Sequence, residues 1–171
     1  MFPSNPLAAA EHGLLFRDDW IAVVRLRPYR VDWRKPNGEW LYGAALPAYA
    51  PRAPMLRDKC AAISQLAGRM FACEPAAFNG WPDVVPPFAQ MGRRVIPMLL
   101  ADAEGNLVIE RLRTADAKTH QYDVVDRRSR IIRSISLATS DASIGFGARH
   151  VYVVHTDADD LKAIRKHAVP W

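Results

Sequence analysis

Runs of apolar residues recur along the chain, and short polar stretches separate them. The segment from Asn106 to Leu137 contains three such runs, at 106–113, 121–125 and 130–137, and another run precedes it at 95–101. β-Branched and aromatic residues dominate these runs, which is typical of β-strands. The pattern therefore predicts a four-stranded antiparallel meander over this part of the chain.

The same succession of apolar runs occurs near both ends of the chain. The N-terminal copy has runs at 13–17, 20–27, 29–34 and 40–46, and the C-terminal copy has runs at 142–148, 150–157 and 161–169. WIAVVRLR at 20–27 matches NLVIERLR at 106–113, and both end in Arg-Leu-Arg. YRV at 29–31 then aligns with YDV at 122–124. The sequence thus predicts one strand unit in three copies.

Units of four short strands that recur about every 40 residues have the spacing of β-propeller blades. The predicted fold is all-β, with about three four-stranded antiparallel propeller blades, the last one incomplete, and one inserted α-helix. We expect a single partial propeller domain over 1–171, with blade-like units at 13–47, 94–138 and 142–169. A twisted sheet with two apolar faces needs a neighbour on each side, which favours stacked blades. A β-sandwich with chance internal similarity is the alternative.

The region 51–92 interrupts the repeat and has a different pattern. Apolar residues at helical spacing predict one amphipathic helix over Met55–Phe71, and the proline-rich segment 79–88 follows as a loop. This insertion serves either as a structural cover for the sheets or as a binding element. Cys60 lies on the apolar stripe of the predicted helix. As a free cysteine it would act there as a small hydrophobic residue, and a Cys60–Cys73 disulfide is the alternative if the parent protein is exported.

Composition narrows the class of protein. With 50% hydrophobic and 24% charged residues, the chain is globular rather than disordered. The net charge of +5 is densest at four arginines that fall in and beside a predicted turn, where charge is normally solvated, so nucleic-acid binding is not expected. No apolar run approaches the length of a membrane span, and no signal peptide precedes the first strand. The chain as written is expected in the cytoplasm, and outside it if the chain is a fragment of an exported parent.

No catalytic motif or metal-binding spacing is present. The sequence lacks a GxSxG motif, a P-loop and a GxGxxG motif, and its five histidines (His12, His120, His150, His155 and His167) are dispersed. The acidic cluster from His155 to Asp160 does not have the spacing of an EF-hand, which favours a polar turn over a calcium site. We therefore predict no catalytic residue, no metal ligand and no cofactor.

The chain resembles the C-terminal half of bacterial six-bladed β-propeller proteins of the NHL/TolB-like kind. The resemblance rests on PYRVDWRKPNGEW (28–40), WPDVVPPF (81–88), YDVVDRRSRIIRSISL (122–137) and IGFGARHVYVVHTDADDL (144–161), and it covers about Phe16 to Ile164. Ser129 departs from the pattern, since such a tight turn usually has glycine, and it predicts another turn type or mild strain. The short length also departs from a full ring. Three explanations of this length remain: the chain is a fragment, a half-ring that self-associates, or an open stack of three blades.

The resemblance implies a binding or scaffold module rather than an enzyme. Ligands of propellers usually meet the loops at one end of the channel, so a protein or small-molecule ligand is expected there. The loops that share one position in the repeat supply the candidate binding residues, namely Arg27, Lys118, His155, Asp157, Asp159 and Asp160. The alternatives are a remnant of a lactonase-type metal-dependent hydrolase, and a truncated gene product without independent function.

Overall fold

The computed structural model describes residues 11–26, 28–46, 56–57, 60, 99–111 and 117–169. Apart from 56–57 and 60, the described residues are all-β, as the sequence predicted, with their strands in three antiparallel sheets. The strands are β1 (His12–Leu15), β2 (Ile21–Leu26), β3 (Tyr29–Arg34), β4 (Trp40–Leu41), β5 (Leu99–Ala101), β6 (Leu107–Glu110), β7 (Thr119–Val125), β8 (Ile131–Ala138), β9 (Asp141–Phe146), β10 (His150–Thr156) and β11 (Lys162–Ala168).

Each sheet is a meander in which consecutive strands pair. The first sheet has the order β1-β2-β3-β4, the middle sheet β5-β6-β7-β8 and the third sheet β9-β10-β11. The Trp20 and Asn106 segments both lead into the second strand of their sheet, so they occupy equivalent positions. The third sheet contains three strands in the part of the chain that the structure describes. These sheets correspond to the three predicted strand units.

The three sheets pack face to face through two apolar cores. One core joins the first and middle sheets and contains Phe16, Ala22, Val24, Tyr29, Val31, Trp33, Leu46, Leu99, Leu107, Ile109 and Val125. The other joins the middle and third sheets and contains Val108, Tyr122, Val124, Ile135, Leu137, Phe146, Val151, Val153 and Val169. Alternate residues of β6 enter different cores because successive side chains of a strand point to opposite faces. The middle sheet is therefore covered on both faces.

The first strands of the three sheets lie next to one another. β1 contacts β5, and β5 contacts β9. Asp102, just after β5, forms a parallel bridge with Phe146 at the end of β9. Neighbouring first strands thus run side by side, and the sheets extend outward from them.

Five turns share one hydrogen-bond pattern, in which the first residue is bonded to the fourth and the fifth. They are 16–20, 35–39, 102–106, 126–130 and 157–161. The fourth residue has a positive φ in each, at Asp19, Gly38, Gly105, Ser129 and Asp160. This is the three-residue hairpin loop with one left-handed residue. Ser129 occupies the same kind of turn as Gly38, so the expectation of another turn type is wrong.

The buried side chain of Ser129 has a partner in the neighbouring sheet. Its φ is 59°, a left-handed conformation that is unfavourable for a residue with a Cβ. The Ser129 hydroxyl donates a 2.6 Å hydrogen bond to the carbonyl oxygen of Val31. A glycine could not make this contact, so the hydroxyl offsets the conformational cost.

Strand β4 is shorter than the run 40–46 predicted. The chain leaves the sheet at Gly43, whose N–H donates a 3.1 Å hydrogen bond to the carboxylate of Asp32 rather than continuing the ladder. A Cβ at Gly43 would lie 2.2 Å from the Val31 carbonyl oxygen and 2.6 Å from the Ser129 side chain. Only glycine fits this close approach.

The register of the sheets corrects the alignment of the third strands. Val23 pairs with Asp32 in the first sheet, and Ile109 pairs with Asp123 in the middle sheet. Because the second strands correspond residue by residue, Asp32 is the equivalent of Asp123. The sequence alignment that matched Tyr29 with Tyr122 was therefore shifted by two residues.

The predicted insertion falls almost entirely outside the described residues. Leu56, Arg57 and Cys60 have helical backbone, and the rest of the predicted helix over 55–71 lies outside the described residues, so that helix stays a prediction. Cys60 is disulfide-bonded. Cys73 is the only other cysteine in the sequence and lies outside the described residues.

Candidate functional site

A cavity of about 570 Å³ opens at the end of the sheets where the β1–β2, β5–β6 and β7–β8 turns lie. We call it the turn-end cavity. Phe16, Arg17, Asp18, Ala101, Asp102, Ala103, Glu104, Gly105, Arg127 and Phe146 line it. All three sheets therefore contribute to its wall, at the point where their first strands lie side by side. Two phenyl rings and five charged side chains give it both apolar and ionic surface.

Arg127 connects the turns of the first and middle sheets at this cavity. Its guanidinium donates a 2.5 Å hydrogen bond to the carboxylate of Asp18 and a 3.4 Å bond to the carbonyl oxygen of Gly105. The same group lies 4.6 Å from the centre of the Trp20 ring, within range of a cation–π interaction. Arg127 thus has its charge partner and its stacking partner in the first sheet, although it belongs to the middle sheet.

The charges of the turn-end cavity divide into paired and unpaired groups. The hydrogen bond from Arg127 lowers the pKa of the Asp18 carboxyl, so this pair is ionised at neutral pH. Asp102 accepts hydrogen bonds from the Glu104 and Asn106 amides and closes its own turn. The side chains of Arg17 and Glu104 are exposed, and neither side chain forms a hydrogen bond with another described residue. A bound molecule would therefore meet one guanidinium and one carboxylate that are available.

Two buried aspartates with arginine partners occupy equivalent positions in the first and middle sheets. The Asp32 carboxylate accepts hydrogen bonds from Arg25 at 3.0 Å and from Arg30 at 2.9 Å. The Asp123 carboxylate accepts bonds from Arg111 at 2.6 Å and from the Ser134 hydroxyl at 2.7 Å. Both aspartates have 0% exposure.

Burial alone would raise the pKa of Asp32, but the hydrogen bonds from Arg30, Arg25 and the Gly43 N–H outweigh it and lower that pKa. A buried carboxylate that is held ionised by arginines is a structural ion pair. Asp32 is therefore part of a structural ion pair and is not a candidate for proton transfer, and Asp123 has the same kind of contact with Arg111.

A third cluster joins two histidines to one buried carboxylate in the third sheet. Asp141, at the start of β9, lies 2.6 Å from Nδ1 of His155 and 3.5 Å from Nε2 of His167. A second cavity, of about 400 Å³, lies between this sheet and β8 and includes Asp141 and His167 in its wall. The cluster brings together residues from three strands.

The predicted binding residues that the structure describes lie away from the turn-end cavity. Successive turns of a meander alternate between the two ends of a sheet, so the β10–β11 turn and the end of the β6–β7 loop lie at the opposite end. Lys118 is exposed there, and His155 is bonded to Asp141. Arg27 lies outside the described residues.

The acidic cluster is a polar turn, as the sequence predicted. The Asp157 carboxylate accepts hydrogen bonds from the Asp159 and Leu161 amides, and the exposed Asp160 is the left-handed residue of the turn. No group of three or more potential metal ligands occurs among the described residues. Within the same residues, no helix is long and apolar enough to cross a membrane.

No protein-family model matches this chain, and neither a curated protein nor a solved structure matches it. The class of protein is therefore the one that the fold defines: an all-β protein of three stacked antiparallel sheets.

Sequence reasoning did not find the residues that form the turn-end cavity. The turns carried a signal, since three of them repeat an acidic residue in similar places. The convergence of Arg127, Asp18 and Gly105 depends on how two sheets stack, and they are far apart in the sequence. The Asp141 cluster had no sequence signal, because the register places His155 opposite Asp141 but His167 opposite Val151, so its contact with His167 depends on how the side chains pack.

Proposed function

We propose that this chain is part of a β-propeller and acts as a non-enzymatic binding module, whose ligand occupies the turn-end cavity. The observation that carries this proposal is the location of the cavity. It lies where the first strands of three sheets meet, and its wall includes turn residues of the first and middle sheets and Phe146 at the end of β9. In a propeller, that location corresponds to one mouth of the central channel.

Three features of the fold support propeller blades. The sheets are meanders of consecutive strands, their first strands are neighbours, and each sheet packs face to face on the next. The buried Arg–Asp pairs also recur in the same register of two sheets. On this proposal, the outer faces of the first and third sheets are where further blades would stand. A longer parent chain or a second copy of this chain would supply them. Light scattering of the purified chain gives its molar mass and so tests whether it forms a dimer.

The chemistry of the cavity favours binding over catalysis. Among the described residues, its wall has no serine, cysteine, histidine or lysine, and Glu104 is its one carboxylate without a side-chain partner. Asp18 is paired with Arg127, and Asp102 is bonded within its turn, so neither is suited to accept a proton. Arg17 and Glu104 supply opposite charges beside two phenyl rings. This combination fits a small zwitterion such as a short free peptide, which carries a carboxylate at one end and an ammonium group at the other.

The test is a titration of the ¹⁵N-labelled chain, followed by NMR. The probes are the zwitterion glycylglycine, the dianion glutarate and the dication putrescine. We expect glycylglycine to shift the amides of Phe16, Gly105 and Phe146 in a saturable way, and the other two probes to shift them less. Each of those lacks one of the two charges that the cavity complements.

Charge variants provide the matched controls. Arg17→Glu and Glu104→Lys each remove one complementary charge, so both should abolish the saturable shifts. Lys118→Glu changes a charge at the opposite end of the sheets and should leave them unchanged. Shifts that stay absent with every probe, or that survive in both cavity variants, would contradict the proposed site.

A further inference from the structure

Strand β11 has one edge that pairs with β10 and one edge that pairs with no described strand. It contains seven residues, Lys162–Ala168, and every one of them pairs with β10. In the middle sheet, the corresponding third strand β7 is covered by the eight residues of β8. The third sheet therefore presents a regular edge of seven residues at the place where the middle sheet has its fourth strand.

The hydrogen bonds at both ends of β11 show which backbone groups face this edge. The Asp157 N–H donates to the Leu161 carbonyl, and the Val169 N–H donates to the Arg149 carbonyl. Hydrogen-bonded pairs alternate along an antiparallel ladder, so the residues at 163, 165 and 167 also bond to β10. The backbone groups of Lys162, Ile164, Lys166 and Ala168 consequently point to the open edge.

The side chains of β11 define what can pair there. Lys162, Arg165 and Lys166 carry positive charge, no residue of the strand is acidic, and the side chain of Ile164 is 74% exposed. Lysines on an edge strand oppose pairing with another copy of the same strand. Two antiparallel β11 strands centred on Ile164 would place Lys162 directly opposite Lys166, and like charges in that position are destabilising. The same charges would attract an acidic strand.

The chain itself does not supply an acidic strand. Outside the described residues, its acidic residues are Asp58, Glu74, Asp83 and Asp116, and no two of them are close enough in sequence to lie in one short strand. We propose that the open edge of β11 binds an extended acidic segment of another protein, which adds a fourth strand to the third sheet. This interaction is independent of the turn-end cavity, because it uses a different element and a macromolecular partner.

The proposal is tested by fluorescence anisotropy with labelled peptides at low salt. The probe Thr-Glu-Glu-Val-Thr-Glu-Val, aligned antiparallel, places glutamates opposite Lys166, Arg165 and Lys162 and a valine opposite Ile164. The control probe has lysine in place of each glutamate. We expect saturable binding of the acidic peptide and binding of the basic peptide that is weaker by about tenfold or more, since the latter sets like charges opposite each other.

Two protein variants separate strand pairing from simple charge attraction. The double variant K162E/K166E should reverse the preference and bind the basic peptide. Ile164→Pro removes one N–H from the open edge without touching the ladder to β10, and should weaken acidic-peptide binding by about tenfold, in proportion to one lost pairing site. Ile164→Ala keeps the N–H and is its control. Circular dichroism checks that each variant is folded.

Amide hydrogen exchange gives a readout that depends on register. Bound acidic peptide should protect the amides of Ile164 and Lys166, whereas those of Arg165 and His167 are already bonded to β10 and should change little. Equal binding of the two peptides, retention of the wild-type preference in K162E/K166E, or the absence of alternating protection would overturn the proposal. So would a wild-type dimer that Ile164→Pro converts to a monomer, since the occupant would then be a second copy.

Discussion

The first and middle sheets contain the same buried ion pair in two different surroundings. In the middle sheet, Arg111 and Asp123 lie on the face that packs against the first sheet, beside Leu107 and Ile109. In the first sheet, Arg25 and Asp32 lie on the face that points away from the middle sheet. The equivalent pair is therefore directed the same way in each sheet, and only one of the two pairs has another described sheet across from it.

The hydrogen bonds of the buried aspartates form within one sheet, whereas burial of the apolar face requires two sheets to pack together. Asp32 is fully buried even on the outer face, because Arg25, Arg30 and the Gly43 backbone surround its carboxylate. Each sheet thus satisfies its own buried charge. The apolar face of the first sheet, by contrast, is complete only when the middle sheet covers it.

We expect the largest loss of stability from a substitution on the face of the first sheet that the middle sheet covers. Trp33 has 0% exposure and packs against Phe16, with ring centres 5.2 Å apart. Trp33→Ala should lower the free energy of unfolding by about 3–5 kcal/mol, through lost burial and a residual cavity. Urea denaturation followed by fluorescence or circular dichroism measures it.

Tyr42→Ala is the matched control, because Tyr42 is an aromatic residue directly after β4 whose exposure is 70%. Its effect should stay within about 0.5 kcal/mol, as for other surface substitutions. Comparable losses in the two variants would mean that the contact between the first and middle sheets does not stabilise the protein.

The next effect tests whether the two ion pairs are equivalent. Asp123→Asn and Asp32→Asn should each cost about 3 kcal/mol, the lower end for breaking a buried pair, since the arginines are partly exposed and can be solvated. The same denaturation experiment measures both. A large loss for Asp123→Asn alone would show that the stack, and not the sheet, makes the pair important.

The pH dependence sharpens this prediction. The pKa of Asp32 is lower in the folded protein than its usual 3.8, so its stabilisation is present above the usual pKa and is lost as pH falls through the folded value. Wild type should lose stability in acid below about pH 4 more steeply than Asp32→Asn does. Asp126, whose pKa is also lowered, should leave part of the acid sensitivity in the variant. If wild type and Asp32→Asn lost stability equally as the pH falls, the proposed role of Asp32 would be contradicted.

The smallest expected effect concerns the hydroxyl that connects the two sheets. Ser129→Ala removes the bond to the Val31 carbonyl and keeps the positive φ, so it should cost about 1–2 kcal/mol. Ser129→Gly loses the same bond but relieves the left-handed conformation, and should be within about 0.5 kcal/mol of wild type. Thermal unfolding compares the two variants directly. If Ser129→Gly were less stable than Ser129→Ala, the hydrogen bond of the hydroxyl would not be offsetting the cost of the left-handed backbone.

The sequence predicted the strands better than it predicted their alignment. The run 106–113 contains strand β6, and Asp157 forms the polar turn that the acidic cluster indicated. The shifted match of Tyr29 with Tyr122 has a physical cause: the loop between the second and third strands is longer in the middle sheet. The two aspartates consequently lie at different sequence distances from their arginines, although the register makes them equivalent.

The binding residues were harder to predict than the strands. Candidates such as Lys118 were chosen from loops at one end of the repeat, whereas the turn-end cavity opens at the other. A cavity between sheets depends on side chains such as Arg127 and Asp18, which are 109 residues apart. No local pattern reports such a contact.

The sequence by itself determined the strands, their order and the turns between them, because alternation of side chains and the choice of turn residues act over a few neighbouring positions. Only the tertiary structure decided the stacking of the three sheets, the repeated register of the Arg–Asp pairs, the location of the turn-end cavity and the open edge of β11. These features depend on which distant surfaces meet, and that choice is made by packing and charge pairing across the whole fold.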